Sequence, residues 1–331
     1  MHTKITANAT AMKRWLSNAE ESLGNHSDRL NAINIFPVAD GDTGTNLYLT
    51  VCAAARAVHD AGTTDLGELL AIAGRAAMED ARGNSGTLIA VFLSAIAEPL
   101  KGTTRLTSRL LAAAMHRAQI RSWSALSDPV PGTMLSVLEA AAHGAAKTAG
   151  EHETDESNHA LALTLQAAVE CALAAVVDTE SQLGALTEAR VVDAGGVGFL
   201  LILDALRAAS LGEELQDELL DGLHGYNIQA PHIHRGADTD GVEIMFTMNL
   251  SPLDAATLRL HLDELGDSVI MSAVTEVEEG YRWRVHVHVV DPEPALKLIH
   301  EAGNPDNISL TQLSSSDDDA AGAPVLEGHG Q

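Results

Sequence analysis

Cysteine is scarce in this sequence. Its 331 residues include only Cys52 and Cys171, and both lie among apolar residues of helix-like segments. Isolated thiols of this kind are typical of buried, reduced cysteines and exclude a disulfide framework. Hydrophobic residues make up 46% of the chain, which is enough to bury a sizeable core and to form two domains.

Basic residues are also few. The chain has 20 of them against 46 acidic residues, which gives a formal net charge of −26. This balance disfavours non-specific binding to nucleic acid or to an anionic membrane. No apolar stretch separates Lys4 from Lys13 and Arg14, and no run of about 18 apolar residues occurs. We therefore expect a cytoplasmic protein with no signal peptide and no membrane insertion.

Two familiar phosphate-binding motifs are absent as well. The chain nowhere contains Gly-x-x-x-x-Gly-Lys followed by Ser or Thr, and no strand-like segment carries Gly-x-Gly-x-x-Gly. These absences exclude a Walker P-loop and a dinucleotide-binding fingerprint. A nucleotide site in this chain must therefore be built from other sequences.

The most informative segment that is present runs from 34 to 46, Asn-Ile-Phe-Pro-Val-Ala-Asp-Gly-Asp-Thr-Gly-Thr-Asn, and leads directly into a helical pattern. It places Asp40 and Asp42 beside a helix start, where unpaired N–H groups and a partial positive charge favour phosphate. Two carboxylates would repel phosphate unless a cation lay between them, and Mg²⁺ binds such oxygen ligands. The segment thus predicts a Mg-nucleotide site.

Two other interpretations compete for this segment. Asp-Gly-Asp alone is often just a turn with Gly at a positive φ. An EF-hand needs a suitable ligand at its fifth position and Glu at its twelfth, but those positions, counted from Asp40, are Gly44 and Val51. A calcium loop of that kind is therefore excluded, which leaves a plain turn or a magnesium site.

A second glycine-containing loop, 81–86 (Ala-Arg-Gly-Asn-Ser-Gly), enters an apolar helix. Ser85 or Asn84 suits its N-cap position, and the glycines allow backbone amides to approach a ligand closely. One such loop is an ordinary helix start. Two of them, one acidic and one basic-polar, indicate a shared phosphate site.

These loops resemble the nucleotide-binding domain that the bacterial fatty acid kinase A proteins share with the dihydroxyacetone kinase L subunit. Residues 129–135 (Pro-Val-Pro-Gly-Thr-Met-Leu) are similar to a nucleotide-contacting turn of the fatty acid kinase branch, and 191–198 (Val-Val-Asp-Ala-Gly-Gly-Val-Gly) to its late glycine lid. Residues 285–288 (Val-His-Val-His) resemble that family's middle domain. The resemblance covers most of residues 1–310 and does not extend to the family's C-terminal domain, so we expect either a truncated sequence or a branch that works without that domain.

The resemblance implies roles for particular residues. Asp40 and Asp42 would be catalytic because they hold one or two Mg²⁺ ions, with Asn34 as a neutral oxygen ligand. The remaining residues would bind ATP: Thr43, Thr45 and Asn46 at metal or phosphate, Asn84, Ser85 and Gly86 at phosphate, and Thr133, Met134, Asp193, Gly195 and Gly196 on the adenine side.

The function implied is that of an ATP- and Mg-dependent kinase subunit. Its acceptor would be a fatty acid presented by an acyl-binding partner protein, and its product an acyl phosphate. A fatty carboxylate is ionised at neutral pH and needs no general base, which agrees with the absence of an obvious base near the loops. Two alternatives stay open: a dihydroxyacetone (glycerone) kinase-like subunit, and a regulator that binds Mg-nucleotide without transferring phosphate.

Helical spacing dominates residues 1–220 and predicts an all-α barrel or bundle of about eight helices. Gly, His, Pro and Asp in 221–240 predict a linker. The order βαββαβ in 241–312 predicts a smaller α+β domain, and the polar residues 313–331 predict a disordered tail. The predicted helices are 5–23, 45–59, 66–79, 85–98, 106–121, 132–148, 157–178, 195–210 and 213–221.

One predicted strand, 282–290, places Arg282, Arg284, His286 and His288 on the face opposite its apolar side chains. Such a face is either solvated or able to chelate a metal, but a structural zinc wants four ligands. The family's middle domain is zinc-associated through a cysteine that joins the histidines, and this domain has none. We therefore do not expect tightly held zinc, and we expect this face to meet a second copy in a homodimer.

Overall fold

The computed structural model describes residues 7–226, 241–278 and 280–312. The predicted linker is therefore described only up to residue 226, and the predicted tail, 313–331, lies outside the described residues.

The first part of the chain is a helical domain. Side-chain caps define several helix starts: Asn8, Asp65 and Ser157 each accept a hydrogen bond from a backbone N–H of the first turn. The helices described in this part are α1 (Ala9–Ala32), α2 (Thr43–His59), α3 (Leu66–Asp80), α4 (Gly83–Ala97), α5 (Ser108–Ala125), α6 (Met134–Glu151), α7 (Asn158–Gln182), α8 (Gly184–Ala189) and α9 (Ala194–Leu211). This confirms the predicted all-α domain, although the segment predicted as a helix at 213–221 forms only a short 3₁₀ turn, Asp217–Leu220.

The core of the helical domain is aliphatic with a small aromatic centre. Trp15 and Phe199 both contact Phe92 edge-on, and the Trp15 indole donates a hydrogen bond to the Ile202 carbonyl at 2.9 Å. Leu223 and Tyr226 are buried in the same core, so this domain continues beyond the predicted boundary at residue 220.

Two helices of this domain, α7 and α9, are long and apolar enough to cross a membrane by length and composition alone. This qualifies the expectation that no segment suits a membrane. A buried core helix of a soluble protein passes the same test, and 94% of the apolar window of α9 is buried within the fold, against 44% for α7.

The second part of the chain forms a four-stranded antiparallel sheet with two helices. Its elements are β1 (Val242–Leu250), α10 (Pro252–Leu265), β2 (Gly266–Val277), β3 (Gly280–Val289), α11 (Pro292–Ala302) and β4 (Asp306–Gln312), and the strand order is β2-β3-β1-β4. This confirms the predicted βαββαβ order. Leu258 and Leu262 of α10 and Ile299 of α11 pack on one face of the sheet and form a second core.

The other face of the sheet lies against the helical domain. The Arg284 guanidinium donates to the Ala81 carbonyl at 3.0 Å, and Arg282 forms an ion pair with Glu79 at 3.0 Å. Ile270 of β2 is buried in the helical core, and the neighbouring Val269 carbonyl accepts a hydrogen bond from the Ser127 N–H. The two domains are thus joined through β2 and β3.

This packing shows that the prediction of a self-associating face was wrong. His286 is fully buried, Arg284 and His288 are nearly so, and the helical domain covers them. The alternation that placed these side chains on one face was correct. The error concerned what covers that face, which strand periodicity does not reveal.

Candidate functional site

A cavity of about 660 Å³ lies between the two domains, and we call it the main cavity. A small acidic recess adjoins it and shares Thr43, Asn84, Ser85 and His288 with it. The helical domain lines these spaces with residues at the N-termini of α2, α4, α6 and α9. The sheet domain closes the main cavity with Gly241, Gly266, His288, Val289 and Val290.

The acidic recess is built on the loop between α1 and α2. The three residues predicted as metal ligands, Asp40, Asp42 and Asn34, all line it, and the Asn34 amide donates a hydrogen bond to the Asp40 carboxylate at 2.5 Å. Burial raises the pKa of Asp40 to about 7, and repulsion from Asp42 adds to the rise. Two adjacent, partly buried carboxylates of this kind are destabilised unless a cation neutralises them.

The acidic residue at the start of α2 does not cap the helix with its side chain. Asp42 is the N-cap residue, yet its side chain makes no capping hydrogen bond there. Thr43 and Asn46 follow in the first turn and line the recess. The Asp42 carboxylate is therefore available to a ligand, beside N–H groups that favour phosphate.

The start of α4 differs from the prediction. The helix begins at Gly83, and its N-cap residue is Arg82 rather than Asn84 or Ser85. Gly83 has φ +60°, and a Cβ there would lie 2.5 Å from the Asn46 amide nitrogen, so only glycine fits between the two helix starts. The Asn84 Oδ1 atom is buried without a hydrogen-bond partner among the described residues. An orphaned acceptor of this kind suits a ligand that brings a donor or a cation.

The starts of α6 and α9 lie together on the opposite side of the main cavity. Thr133 caps α6 and Asp193 caps α9, where its carboxylate accepts from the Gly196 N–H at 2.6 Å. Burial raises the pKa of Asp193 to about 6. Met134 and Gly195, which were predicted for the adenine side, line the cavity next to these caps.

Three predicted residues line neither space. Thr45 is exposed and hydrogen-bonded to Asn31. A Cβ on Gly86 would lie 2.5 Å from the Thr50 hydroxyl oxygen, so this glycine serves the close packing of α4 on α2. Gly196 donates to the Asp193 cap. These three residues therefore help to hold the helix starts in place and do not themselves line the cavity or the recess.

The sheet domain adds residues that were not predicted for the nucleotide site. Glu243 of β1 stands directly opposite His288 of β3 in the sheet register, and both side chains line the acidic recess. The Glu243 carboxylate lies 3.3 Å from His286 Nδ1, and the Nε2 atoms of the two histidines are 3.1 Å apart. Burial and then repulsion from Asp42 raise the pKa of Glu243 to about 7, whereas the pKa of His286 is well below its usual range because it is buried.

The donors present fit two kinds of cation. Asp40 and Asp42, with amide oxygens nearby, are the hard oxygen ligands that Mg²⁺ takes together with nucleotide phosphates. The ligand atoms of Glu243, His286 and His288 lie within 4.8 Å of one another, and one carboxylate with two imidazoles is a known three-ligand set for zinc. The prediction against zinc rested on a missing cysteine, and Glu243 supplies a third donor in its place.

Comparison with known proteins places the chain in a family. Residues 37–208, more than half of the chain, match the model of the DAK2 domain, and residues 241–319 match the model of the fatty acid kinase A-like middle domain. The chain therefore belongs to the DAK2 domain family and carries a fatty acid kinase A-like middle domain.

Two curated relatives match most of this chain but are longer than it. Protein YloV of Bacillus subtilis (strain 168) is 28% identical over 306 residues, which are 88% of this chain and 53% of that protein. An uncharacterized protein of Staphylococcus aureus (strain bovine RF122 / ET3-1) is 27% identical over 282 residues, 82% of this chain and 49% of its own. The chain thus spans about half the length of the curated relatives it matches. A crystal structure of the dihydroxyacetone kinase from C. freundii, in complex with AMP-PNP and Mg2+, aligns with 62% of this chain and 35% of its own, with TM-score 0.44 and 22% identity.

Proposed function

We propose that this protein is an ATP- and Mg²⁺-dependent phosphotransferase subunit, which transfers the γ-phosphoryl group to an acceptor carried by a partner protein. The observation that carries the proposal is the acidic recess. There Asp40 and Asp42 converge with Glu243 beside the N-termini of α2 and α4. Carboxylates and phosphate-binding helix starts share one space only if a cation joins them, and Mg-nucleotide meets that condition.

In this proposal Asp40 and Asp42 hold one or two Mg²⁺ ions, and Asn34 completes the oxygen set. Thr43, Asn46, Asn84 and Ser85 face the phosphates from the two helix starts. The adenine side of the main cavity is formed by Thr133, Met134, Asp193 and Gly195, with Thr45, Gly86 and Gly196 behind the contact surface. The apolar side chains of Phe36, Leu88 and Leu126 supply the walls on which a base can rest.

We propose a fatty carboxylate as the acceptor. Its oxygen attacks the γ-phosphorus, the bond from that phosphorus to the bridging oxygen breaks, and ADP leaves with the electron pair, so acyl phosphate forms without a proton transfer. Phosphoryl transfer of this type asks the protein for positioning and charge neutralisation. In this proposal the carboxylates of the recess hold the metal that neutralises charge, and the helix N-termini position the phosphates.

The test incubates the protein with γ-labelled ATP and Mg²⁺ in separate reactions. One contains a fatty-acid-loaded acyl-binding protein, one contains dihydroxyacetone, and one has no acceptor. Hydroxylamine then traps any acyl phosphate as a hydroxamate. The hydroxamate keeps the acyl group and the label leaves as inorganic phosphate, so we expect hydroxamate, with a matching release of labelled phosphate, in the first reaction only. Label in dihydroxyacetone would support the glycerone kinase alternative, and tight Mg-ATP binding with no transfer to either acceptor would support a nucleotide-binding regulator.

We propose that the cluster of Glu243, His286 and His288 holds zinc only weakly, because the described residues offer it three ligands where a structural zinc uses four. Metal analysis after dialysis against a chelator tests this. We expect less than stoichiometric zinc, and none in His288→Ala. Stoichiometric zinc that survives dialysis would show a tight site.

We also propose a cytoplasmic homodimer that uses the outer face of the sheet domain. Leu253 and Leu260 of α10 are seven residues apart and 76% and 61% exposed. Two leucines on one side of a helix suit packing against a second copy. Light scattering is expected to give a dimer for the unaltered protein and a monomer for Leu260→Glu, and a monomeric unaltered protein would contradict this role.

A further inference from the structure

The acidic recess has an excess of negative charge on the protein side. It gathers the carboxylates of Asp40, Asp42 and Glu243, and a nucleotide would add its phosphates. Magnesium offsets part of this charge. During phosphoryl transfer, however, negative charge spreads over the oxygens of the moving group, and a guanidinium often neutralises it there. The cations near the recess are therefore informative.

Two arginines on the sheet are already committed. Arg284 is 6% exposed, and its Nη2 atom donates to the Ala81 carbonyl at 3.0 Å. Arg282 is held between Glu79 and Asp306, at 3.0 and 3.1 Å. Both guanidinium groups join the two domains, and neither is free to follow a substrate.

Arg82 is different. Its side chain is exposed and makes no hydrogen bond or ion pair with any residue in the described part of the chain. It lies between Ala81, which Arg284 contacts, and Gly83, which lines the recess. Its charge also reaches the recess, because Arg284 and then Arg82 oppose the rise in the pKa of Glu243 that burial and Asp42 cause.

In the absence of a ligand, arginine at position 82 is unfavourable for the stability of helix α4. It is the N-cap residue of α4 and makes no side-chain capping bond there. Ser, Thr, Asp or Asn would stabilise this helix start by about 1 kcal/mol relative to a residue that does not cap. A positive charge also opposes the helix dipole at an N-terminus. A bound anion at the same helix start would reverse both penalties, since the arginine would then contact the anion.

We propose that Arg82 is a catalytic residue whose guanidinium contacts the γ-phosphoryl group of ATP and neutralises its charge during transfer. This inference rests on the function proposed above and assigns a further residue to the same site. Because the guanidinium groups of Arg282 and Arg284 are fixed at the domain junction, Arg82 is the arginine beside the recess that moves from solvent onto the nucleotide when the γ-phosphate is present. It has no comparable contact with ADP.

The experiment measures binding of Mg-ADP, of Mg-ATP and of Mg-ADP with aluminium fluoride, which mimics the phosphoryl group in transit, by calorimetry on the full chain. The variants are Arg82→Gln and Arg82→Lys, with Arg75→Gln, an exposed arginine of α3, as the matched control. For Arg82→Gln we expect Mg-ADP affinity within about twofold of the unaltered protein. We expect a loss of about tenfold for Mg-ATP and about 100-fold or more for the aluminium fluoride complex. Arg82→Lys should fall between, and Arg75→Gln should change nothing.

Equal losses for Mg-ADP and Mg-ATP would overturn the inference, because they would show a general electrostatic effect. Unchanged binding of the aluminium fluoride complex by Arg82→Gln would overturn it as well. If the unaltered protein bound no Mg-ATP, the proposed function itself would fail and the role of Arg82 with it. Normal Mg-ATP binding with no selective effect of Arg82 would leave the proposed function intact.

Discussion

The two domains present different chemistry to the cavity they share. The helical domain contributes four helix N-termini and the carboxylates of Asp40, Asp42, Asp128 and Asp193, all within short segments of sequence. The sheet domain contributes the side chains of Glu243 and His288, which are 45 positions apart in the chain and are brought opposite each other by strand pairing. In the proposed function, the helical domain holds metal and phosphate, and the sheet domain forms the polar wall facing them.

This contrast suggests a division of labour. Under the proposed function, the helix N-termini and carboxylates bind the charged parts of Mg-nucleotide, so changes there should weaken binding. The wall formed by the sheet lies on the far side of the recess, so changes there should lower transfer more than binding.

Replacing Asp42 should damage the helical half of the site most. In Asp42→Ala the magnesium ion that neutralises the phosphates loses one carboxylate ligand. Mg-ATP affinity should therefore fall by about 10- to 100-fold. Calorimetry measures this directly. Asp60→Ala, at the opposite end of α2, is the control and should bind normally. Unchanged affinity in Asp42→Ala would remove the recess from the nucleotide site.

Replacing His288 tests the sheet half. In His288→Ala, phosphoryl transfer should fall by about 10- to 100-fold, as is common when residues around a metal site are lost. Mg-ATP affinity should change by less than in Asp42→Ala, since the helix starts are intact. His261→Ala, on the exposed side of α10, serves as the control. A loss of binding that matched the loss of transfer would contradict the proposed division.

Arg284→Ala should weaken the junction between the domains. The variant loses a buried charged hydrogen bond to the Ala81 carbonyl, and the expected cost in unfolding free energy is about 1.5–3 kcal/mol. Urea unfolding measures it, with Arg259→Ala as the control because its contact with the Ala125 carbonyl is long, at 3.5 Å. If both variants lost equal stability, Arg284 would not be specific to the junction.

The smallest effect that we predict is on the pH dependence of stability, and it should differ between two aspartate N-cap residues, Asp193 and Asp65. Burial raises the pKa of Asp193 from 3.8 to about 6, so the native state holds a proton that the unfolded chain releases, and stability falls as pH rises from about 4 to about 6. Asp193→Asn keeps a capping oxygen and removes this fall. It should therefore be more stable than the unaltered protein at pH 7 by about 1–3 kcal/mol and equal to it near pH 4.

The partly exposed cap Asp65 should behave in the opposite way. Backbone hydrogen bonds, chiefly from Glu68, hold its pKa below the usual value, so its contribution to stability is present at neutral pH and lost as pH falls through the folded pKa. Asp65→Asn should consequently be no more stable than the unaltered protein at pH 7. Urea unfolding at pH 4 and 7 checks both variants. If Asp65→Asn were more stable than the unaltered protein at pH 7, the predicted direction of the Asp65 effect would be wrong.

Much of the helical half could be predicted from sequence because its signals are local. The acidic loop, the glycines and the caps Thr133 and Asp193 lie next to the helices they begin. The start of α4 was misplaced because cap preferences disfavour Arg82, and this helix start does not follow them. The first helix was predicted to end at residue 23, where Gly24 suggests a stop, but it continues to Ala32 because Gly24 packs against the Tyr48 ring.

The sheet half was less accessible for a physical reason. Alternation correctly placed His286 and His288 on one face of a strand, and the order of elements was correct. Whether that face meets solvent, a second copy or the helical domain depends on contacts between distant segments, such as Leu126 with Ile270. Glu243 was missed because its role follows only from the register between β1 and β3.

The most direct test of the central claim, that Mg-nucleotide binds between the two domains, uses Mn²⁺ in place of Mg²⁺. Histidine side chains labelled with ¹³C are observed by NMR as Mn-ATP is added to the full chain. We predict that the signals of His288 in the recess broaden beyond detection, while those of His261 on the outer side of α10 persist. Saturating Mn-ATP that left His288 as sharp as His261 would contradict a nucleotide site shared by the two domains.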